Sequence, residues 1–317
     1  MIPPKRNRRW YVLLLRRTAV TVLALLLIGS ALITVNESAG WLFLPSWNDI
    51  FARVGLVDAA VSQDELRVTF LDVGNADCIL IQSGEKTALI DAGEYRTSRH
   101  VLETLQFAGV ERLDYVIATH ADADHIGGME TLVRELEIGT FLMPATAGSE
   151  QSKTQVYESL LAALEDQGIP MADADYGFTC CIGKAQLKII SGRQTVFGGN
   201  EGSAVCRLNF GEHTFLFMGD SGKTVERHLL LEGEDIEADV IKIGHHGSNT
   251  ATDPQFIRLS RPAYAVITCG IDNAMGYPHE ETLKTLEEYG VAVYRSDHHG
   301  DIVFRSDGTT LSVTTER

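Results

Sequence analysis

The sequence is poor in cysteine and proline, and no two of its cysteines are separated by two residues. The odd number of cysteines excludes a dense disulfide framework and disfavours a thiolate zinc site. Buried free thiols are one interpretation, and a single disulfide is the alternative if the domain lies outside the cytoplasm. The modest contents of glycine (29 residues) and proline (8 residues) exclude a collagenous or low-complexity chain. The cysteines are Cys78, Cys180, Cys181, Cys206 and Cys269.

Positive charge is also scarce: the chain has 27 lysines and arginines but 43 aspartates and glutamates, which gives a formal net charge of −16. Most of the acidic excess follows residue 40, because residues 1–40 hold six basic side chains and one acidic one. Such a surface repels polyanions, so a broad nonspecific nucleic-acid-binding face is disfavoured. A polyanionic substrate is still compatible with this charge, because bound divalent cations can reverse the local field.

Charge is absent from one long stretch, residues 18–35, which is apolar and follows the basic segment 1–17. This length is just enough for a bilayer-spanning helix, and the positive-inside rule would keep residues 1–17 in the cytoplasm. A single-pass membrane anchor is therefore predicted, with the rest of the chain extracytoplasmic. The alternative is a cleaved signal peptide, which would make the protein secreted. Residues 36–65 are predicted to be a linker before a folded domain at 66–317.

In the folded domain, short strand patterns alternate with helical ones. Residues 113–118 are apolar apart from Asp114, which predicts a strand that is buried on both faces. Residues 155–164 have the spacing of an amphipathic helix. Many strands with interspersed helices predict an α/β fold in which two packed sheets are flanked by helices.

Metal-type ligands follow three of the predicted strands. The sequence HADADHIGG at 120–128 places four potential ligands within six residues, and the strand at 113–118 leads into it. A second strand ends in Gly-Asp and a third in GHHGS at 244–248. Histidine and carboxylate together suit zinc, manganese or iron, and strand ends of this kind can converge on one dinuclear centre. The ligands in question are His120, Asp122, Asp124, His125, Asp220, His245 and His246.

The order of these motifs resembles the metallo-β-lactamase superfamily and, more closely, the C-terminal hydrolase domain of ComEC-type competence proteins. Supporting stretches are FLDVGNAD at 70–77, LIDAG at 89–93, and the segment from YPH at 277–279 to YRSD at 294–297. The resemblance covers residues 66–314. It implies a four-layer αββα sandwich, preceded here by the predicted transmembrane helix, with metal ions at one edge.

The resemblance also implies a ligand set. His120 and Asp122 would hold the first metal ion. The second would be held by Asp124, His125 and His245, and Asp220 would bridge the two ions. Because Asp122 stands where most of the superfamily has a histidine, Mn²⁺ or Mg²⁺ competes with Zn²⁺ for this oxygen-rich site. Further predicted participants are His246 as an alternative ligand, Asn200 and Ser203 as weak ligands of the first ion, and Asp72, Asp77 and Asp91 as carboxylates that orient the histidines.

The implied activity is metal-dependent hydrolysis, with Asp124 and Asp220 as catalytic residues, of which Asp220 would orient a metal-activated water. The resemblance favours a phosphodiesterase or nuclease that acts on DNA during uptake. A phosphoesterase of the cell envelope and a non-catalytic metal-binding module are the alternatives. His279 is predicted to protonate a leaving group or to bind an oxyanion. Beside it, Tyr277 stands where such competence proteins often have a histidine.

Overall fold

The computed structural model describes residues 18, 21–24, 27–35, 50, 60–145, 154–191 and 198–317. The chain divides into two compact units, Met1–Ala60 and Val61–Arg317. In the first unit, residues 18, 21–24 and 27–35 are helical. Among the described residues, no helix is both long and apolar enough to cross a membrane. The predicted span at 18–35 includes residues 19, 20, 25 and 26, and these lie outside the described residues, as do the basic segment 1–17 and most of the linker.

The second unit contains two β-sheets. The strands of the described part are β1 (Leu66–Phe70), β2 (Ile79–Ser83), β3 (Lys86–Ile90), β4 (Arg112–Ile117), β5 (Glu137–Met143), β6 (Met171–Asp173), β7 (Thr179–Ile182), β8 (Ala185–Ile189), β9 (Cys206–Phe210), β10 (His213–Phe217), β11 (Val240–Lys242), β12 (Tyr264–Ile267), β13 (Ala292–Arg295), β14 (Ile302–Ser306) and β15 (Leu311–Thr315). One sheet has the order β15-β14-β1-β2-β3-β4-β5-β6, and the other has the order β13-β12-β11-β10-β9-β8-β7. The predicted strand at 113–118 is confirmed as β4, which is largely buried.

Helices connect the strands. They are α1 (Ser98–Phe107), α2 (Ala123–Ile126), α3 (Met129–Glu135), α4 (Gln155–Asp166), α5 (Lys223–Glu232), α6 (Pro254–Ser260), α7 (Glu280–Glu288) and α8 (Ser296–His299). The amphipathic helix predicted at 155–164 is confirmed as α4, and Thr154 caps it by accepting a hydrogen bond from the backbone N–H of Tyr157.

Three hydrophobic cores stabilise the domain, each between two layers of secondary structure. Alternate residues of each strand point to opposite faces of its sheet. Accordingly, Val68 and Phe70 of the first sheet meet Phe215 and Phe217 of the second in a central core. A second core packs helices α1, α3 and α4 on the outer face of the first sheet, and a third packs α5, α6 and α7 on the outer face of the second. The predicted αββα sandwich of two sheets is thus confirmed for Val61–Arg317.

The topology brings several loops to one edge of the sandwich. In the first sheet β3 and β4 are parallel, and in the second sheet β10, β11 and β12 are parallel. Their carboxyl ends therefore open at the same edge, which is where open α/β layers present their sites. A backbone hydrogen bond of 2.9 Å from the N–H of Ala204 to the carbonyl oxygen of Thr119 joins the two sides there.

Candidate metal centre

Four side chains from three strand ends converge at this edge. Asp124 and His125 follow β4, Asp220 follows β10, and His246 follows β11, and their facing ligand atoms all lie within 4.8 Å of one another. Asp220 Oδ1 is 3.3 Å from His125 Nε2 and 3.5 Å from His246 Nε2. Asp124 Oδ2 is 3.5 Å from His246 Nε2 and 4.0 Å from His125 Nε2. These four residues are called the metal cluster below.

The metal cluster fits a divalent cation on two counts. Ligands at about 2.0–2.2 Å from a tetrahedral ion stand about 3.4 Å apart, which is close to the shorter distances above. In addition, the buried atoms His125 Nε2, His246 Nε2 and Asp220 Oδ1 have no hydrogen-bond partner among the described residues. Buried polar atoms without partners are costly and call for an explanation. Three such atoms that point at one another are explained by a shared cation.

His125 is oriented by a carboxylate behind it. Its Nδ1 lies 2.7 Å from Asp91 Oδ2, so the ring donates a hydrogen bond there and turns Nε2 toward the metal cluster. Thr119 holds Asp91 in turn, because its backbone N–H donates to Oδ1 at 2.8 Å and its hydroxyl donates to Oδ2 at 2.7 Å. Asp91 itself has a positive φ of 57°, a backbone strain that is concentrated at functional sites.

His246 is oriented by a backbone carbonyl. Its Nδ1 lies 2.8 Å from the carbonyl oxygen of Thr268, which directs Nε2 toward Asp220 and Asp124. Below the ring, Asp77 Oδ1 lies 3.5 Å from the same Nδ1. Asp77 is buried, and it pairs with the fully buried ammonium group of Lys242. Lys242 also donates a hydrogen bond of 2.9 Å to the carbonyl oxygen of Gly219.

The backbone decides which histidine of GHHGS enters the metal cluster. His245 and His246 both have left-handed φ angles, 49° and 51°, which are unfavourable for residues other than glycine. The resulting turn points the two rings to different sides of Asp220. His246 faces Oδ1, whereas His245 Nε2 is 3.9 Å from Oδ2. The sequence analysis named His245 as the ligand and His246 as the alternative, and the structure instead brings His246 into the four-residue group.

A second, wider set of polar groups lies around the other oxygen of Asp220. His120 Nε2 is buried, has no partner among the described residues, and lies 3.7 Å from Asp122 Oδ2. The side-chain amide of Asn200 is 3.5 Å from Asp220 Oδ2 and 3.4 Å from His245 Nε2. These groups are spread more widely than those of the metal cluster, so a cation here would be held less tightly.

Tyr277 and Ser203 each contact one histidine of this second set, Tyr277 at the nitrogen that faces Asp220 and Ser203 at the nitrogen on the far side of the His120 ring. The Tyr277 hydroxyl is 3.2 Å from His245 Nε2. Ser203 does not face the cation position. Its hydroxyl donates to the carbonyl oxygen of Asn200 at 2.7 Å and lies 3.3 Å from His120 Nδ1, so it orients His120 instead.

Electrostatics favour a cation at the metal cluster. Burial alone would raise the pKa of Asp220, but His246 and His125 hold it well below its usual value. Burial alone would lower the pKa of His125, but Asp220 and Asp91 raise it well above its usual value. Without a metal, the buried carboxylates therefore attract protons to the imidazoles. Metal binding must release those protons, so affinity for the metal falls as the pH falls.

His120 behaves differently. Burial, reinforced by His125, lowers its pKa to about 3, so the ring stays neutral and available as a ligand.

Two other predicted residues lie outside this arrangement. The carboxylate of Asp72 pairs with Arg317 and accepts a 3.4 Å hydrogen bond from the N–H of Gly74, so it does not orient a histidine of the metal cluster. His279 accepts a hydrogen bond of 2.9 Å at Nδ1 from the backbone N–H of Asn249 and stands at the start of α7. Its ring packs edge-on against Tyr277, 5.1 Å between centroids.

The sequence analysis missed Lys242, Thr119 and Thr268, which hold the ligands from behind. For Lys242 a signal was present, because a lysine in the middle of an apolar strand has to find a buried partner. The two threonines gave no comparable signal, since their contacts join segments that are distant in sequence.

A buried carboxylate fixes the loop that follows GHHGS. Glu226 of α5 accepts hydrogen bonds from the backbone N–H groups of Thr252 at 2.8 Å and Asp253 at 2.6 Å. Burial raises the pKa of Glu226 to about 7, even though these two donors lower it. The folded protein therefore binds this proton more tightly than the unfolded chain does, whose ordinary value is 4.5.

This shift predicts a pH-dependent stability. The stabilising contribution of Glu226 to the free energy of unfolding is fully present below about pH 4.5. It is lost as the pH rises to about 7, and the whole loss is roughly 3 kcal/mol. Urea unfolding of metal-free protein across this window should show the loss in wild type and not in Glu226→Gln, so the difference between the two isolates this residue. Identical pH profiles for the two proteins would contradict the assignment.

The comparisons with known proteins identify the family and the fold. The model of the metallo-beta-lactamase superfamily matches residues 71–270. ComE operon protein 3 of Bacillus subtilis (strain 168) is 28% identical over 260 residues, which cover 76% of this chain and 33% of that protein. Competence protein ComA of Neisseria gonorrhoeae is 28% identical over 247 residues, 77% of this chain and 33% of that protein. The chain thus spans about a third of the length of these curated relatives.

Among solved structures, the metallo-beta-lactamase fold protein YhfI from Bacillus subtilis superposes with a TM-score of 0.51 at 14% identity. The alignment covers 76% of this chain and all of YhfI, and at this identity it supports the fold alone. The family match spans β4, β10 and β11 with all the ligands that follow them. This chain therefore belongs to the metallo-beta-lactamase superfamily.

Proposed function

We propose that the chain is a metal-dependent phosphodiesterase of the ComEC-like group, which cleaves nucleic acid outside the membrane. The observation that carries this proposal is the metal cluster, in which buried ligand atoms of two histidines and one aspartate face one another and have no hydrogen-bond partner in the described part of the chain. A non-catalytic module would need a metal only for structure. The half-exposed Asp122 and the less buried Asp124 instead leave the site open to solvent and substrate on one side.

Some residues of the site would bind the metal ions, and others would orient the attacking water or contact the substrate. Asp124, His125, Asp220 and His246 would hold the more tightly bound ion, while His120 and Asp122, with Asp220 Oδ2, would hold a second one weakly. A divalent ion such as Zn²⁺ or Mn²⁺ would lower the pKa of a bound water toward neutrality and stabilise a developing anion. Asp220 would orient the water, and His245 and Tyr277 would contact a phosphoryl oxygen beside Oδ2.

Two observations favour a phosphodiester over a carbonyl substrate. The site is rich in carboxylate oxygen, which suits the hard cations that are used with phosphoryl groups. One of the curated relatives, ComA, is named as a competence protein, and from this we carry over a nucleic-acid substrate with a role in DNA uptake. The chain matches only about a third of each relative, so no transport step is proposed for it.

We further propose that residues 18–35 anchor the chain in the cell membrane and that the hydrolase domain, 66–317, lies outside the cytoplasm after a linker at 36–65. The support is the uncharged run at 18–35 that follows the basic segment 1–17. Protease added to intact cells should then digest the hydrolase domain. A domain that is digested only after lysis would contradict this topology.

Hydrolysis of bis-4-nitrophenyl phosphate tests the activity. The full-length chain, stripped of metal, should be inactive and should regain turnover when Mn²⁺ or Zn²⁺ is added. The hydrolysis of DNA should follow the same metal dependence. Stoichiometric metal uptake without any phosphodiesterase activity would contradict the proposal and would favour a carbonyl-centred hydrolase or a binding module. Hydrolysis of envelope phosphodiesters with intact DNA would favour the envelope phosphoesterase.

A further inference from the structure

A cleft opens beside the metal cluster. Its volume is about 690 Å³, within the range of small-molecule sites, and Asp124 and Ala123 form part of its wall. Tyr95 and Met275 both line the cleft, with 69% and 60% of their surfaces exposed. An exposed aromatic ring and an exposed thioether in the wall of one cleft are suited to contact a flat, apolar group.

The backbone of Tyr95 packs tightly against the segment that follows the metal ligands Asp124 and His125. Tyr95 begins a short 3-10 turn, Tyr95–Thr97, one residue after the LIDAG segment that contains Asp91. A Cβ on Gly127 would lie 2.5 Å from the backbone nitrogen of Tyr95, and a Cβ on Gly128 would lie 2.2 Å from the carbonyl oxygen of Ala92. Only glycine at both positions lets the two segments approach this closely, so the backbone of Tyr95 has a fixed place relative to the loop that contains Asp124.

The charge of the cleft distinguishes it from the rest of the protein. Among the wall residues that the structure describes, the one cation is Arg96, which is paired with Glu94 at 2.6 Å, and the remaining charged residue is Asp124 of the metal cluster. In a chain of net charge −16, this described wall is close to neutral and has no row of cations for a phosphate backbone. It is suited to an uncharged ring, whereas the phosphate would lie at the metal cluster.

One wall residue has an unused polar atom. Asn75 Oδ1 is buried and accepts no hydrogen bond from any described residue. Asn273, the second amide of the wall, is committed, because it donates to the carbonyl oxygens of Gly270 and Tyr277 and accepts from the N–H of Tyr277. Because Asn75 also lines the cleft, a turn of its side-chain amide toward the cleft would present this acceptor to the polar edge of a ring there.

We propose that this cleft is a nucleobase subsite, in which an unpaired base next to the scissile phosphodiester stacks on Tyr95 and hydrogen-bonds to Asn75. This inference rests on the proposed phosphodiesterase function and adds its substrate class, single-stranded nucleic acid. A base in a duplex is already stacked and paired, so it has to leave the helix before it can occupy the cleft. Because every base has a π-face, the subsite tolerates all four bases.

The test compares two esters that share a leaving group. Thymidine 5′-(4-nitrophenyl phosphate) has a base, and methyl 4-nitrophenyl phosphate has none. Loss of one stacking contact corresponds to about a 5- to 150-fold effect. Tyr95→Ala should therefore lower the ratio of kcat/KM for the first ester to that for the second by this factor, while Tyr95→Phe should preserve the ratio. The matched control is Tyr289→Ala, which changes an exposed tyrosine that does not line the cleft and should leave both rates unchanged.

A binding measurement separates this inference from the proposed activity. Metal-free full-length protein should bind an oligothymidylate more tightly than an abasic oligomer of the same length, and Tyr95→Ala should remove the difference. Equal binding of the two oligomers, or an unchanged kcat/KM ratio in Tyr95→Ala, would overturn the subsite. If neither ester is hydrolysed but the base-dependent binding is present, the phosphodiesterase proposal fails and the subsite stands.

Discussion

Replacing Asp220 by asparagine is expected to lower metal-dependent phosphodiester hydrolysis by about 10³-fold while the protein stays folded. Asp220 Oδ1 faces both histidines of the metal cluster, and Oδ2 faces His245 and Asn200. The amide that replaces the carboxylate keeps its shape but loses its charge and one acceptor. The bound metal content, measured by elemental analysis, should fall together with the activity.

The matched control for this variant is Asp166→Asn, which removes an equal charge from an exposed side chain on α4. It should retain full activity and full metal content. If Asp220→Asn kept the wild-type rate and metal content, the metal cluster would not be the catalytic centre. If it lost activity with full metal content, Asp220 would act on the water and would not be needed to hold the ion.

The sequence predicts that the ligands converge on Asp220, because the carboxyl ends of parallel strands lie at one edge of a sheet. The ligands after β4, β10 and β11 each follow an apolar run, and parallel neighbours place such residues at one edge. The αββα layers could be predicted for a similar reason, since alternation of strand and helix patterns leaves few ways to bury every apolar face. Both inferences depend on local patterns, which a single sequence displays directly.

The choice between His245 and His246 could not be predicted in this way. Two adjacent histidines are equivalent as sequence, and the ring that faces the metal cluster is decided by φ angles of 49° and 51°. Left-handed angles at non-glycine residues are imposed by the surrounding structure. Here the imposed contacts include the bond from His246 Nδ1 to Thr268, a residue from the next strand end. The pairing of Asp72 with Arg317 could not be predicted from the sequence either, because the two residues lie 245 positions apart.

The partner of the buried charge of Lys242 could not be predicted from the sequence either. Its strand, β11, was predicted from its apolar pattern, but nothing local indicates that the ammonium group would reach Asp77, which precedes β2 in the other sheet. Burial alone would raise the pKa of Asp77, but Lys242, followed by His246 and His125, holds it below its usual value. The lysine thus keeps a carboxylate ionised beneath His246, and it also binds the carbonyl group next to Asp220.

Replacing Lys242 by methionine is therefore expected to lower the free energy of unfolding by about 3–5 kcal/mol. Methionine fills a similar space but leaves the buried carboxylate of Asp77 without its nearest cation and removes one of the two donors to the carbonyl oxygen of Gly219, the other being the N–H of His245. Urea denaturation of the metal-free protein measures the loss. The double variant Lys242→Met with Asp77→Asn should be more stable than Lys242→Met alone, because it removes the uncompensated charge.

Lys284→Met is the matched control, since Lys284 is exposed on α7 and its nearest acid is 4.0 Å away. A surface change of this kind should alter stability by no more than about 0.5 kcal/mol. If Lys242→Met were as stable as this control, the buried pair would contribute nothing to folding. If the double variant recovered stability but bound the metal weakly, the role of the pair would be to position His246 and Asp220. Lys242 binds the carbonyl group of Gly219, which precedes Asp220, and Asp77 lies beside the ring of His246.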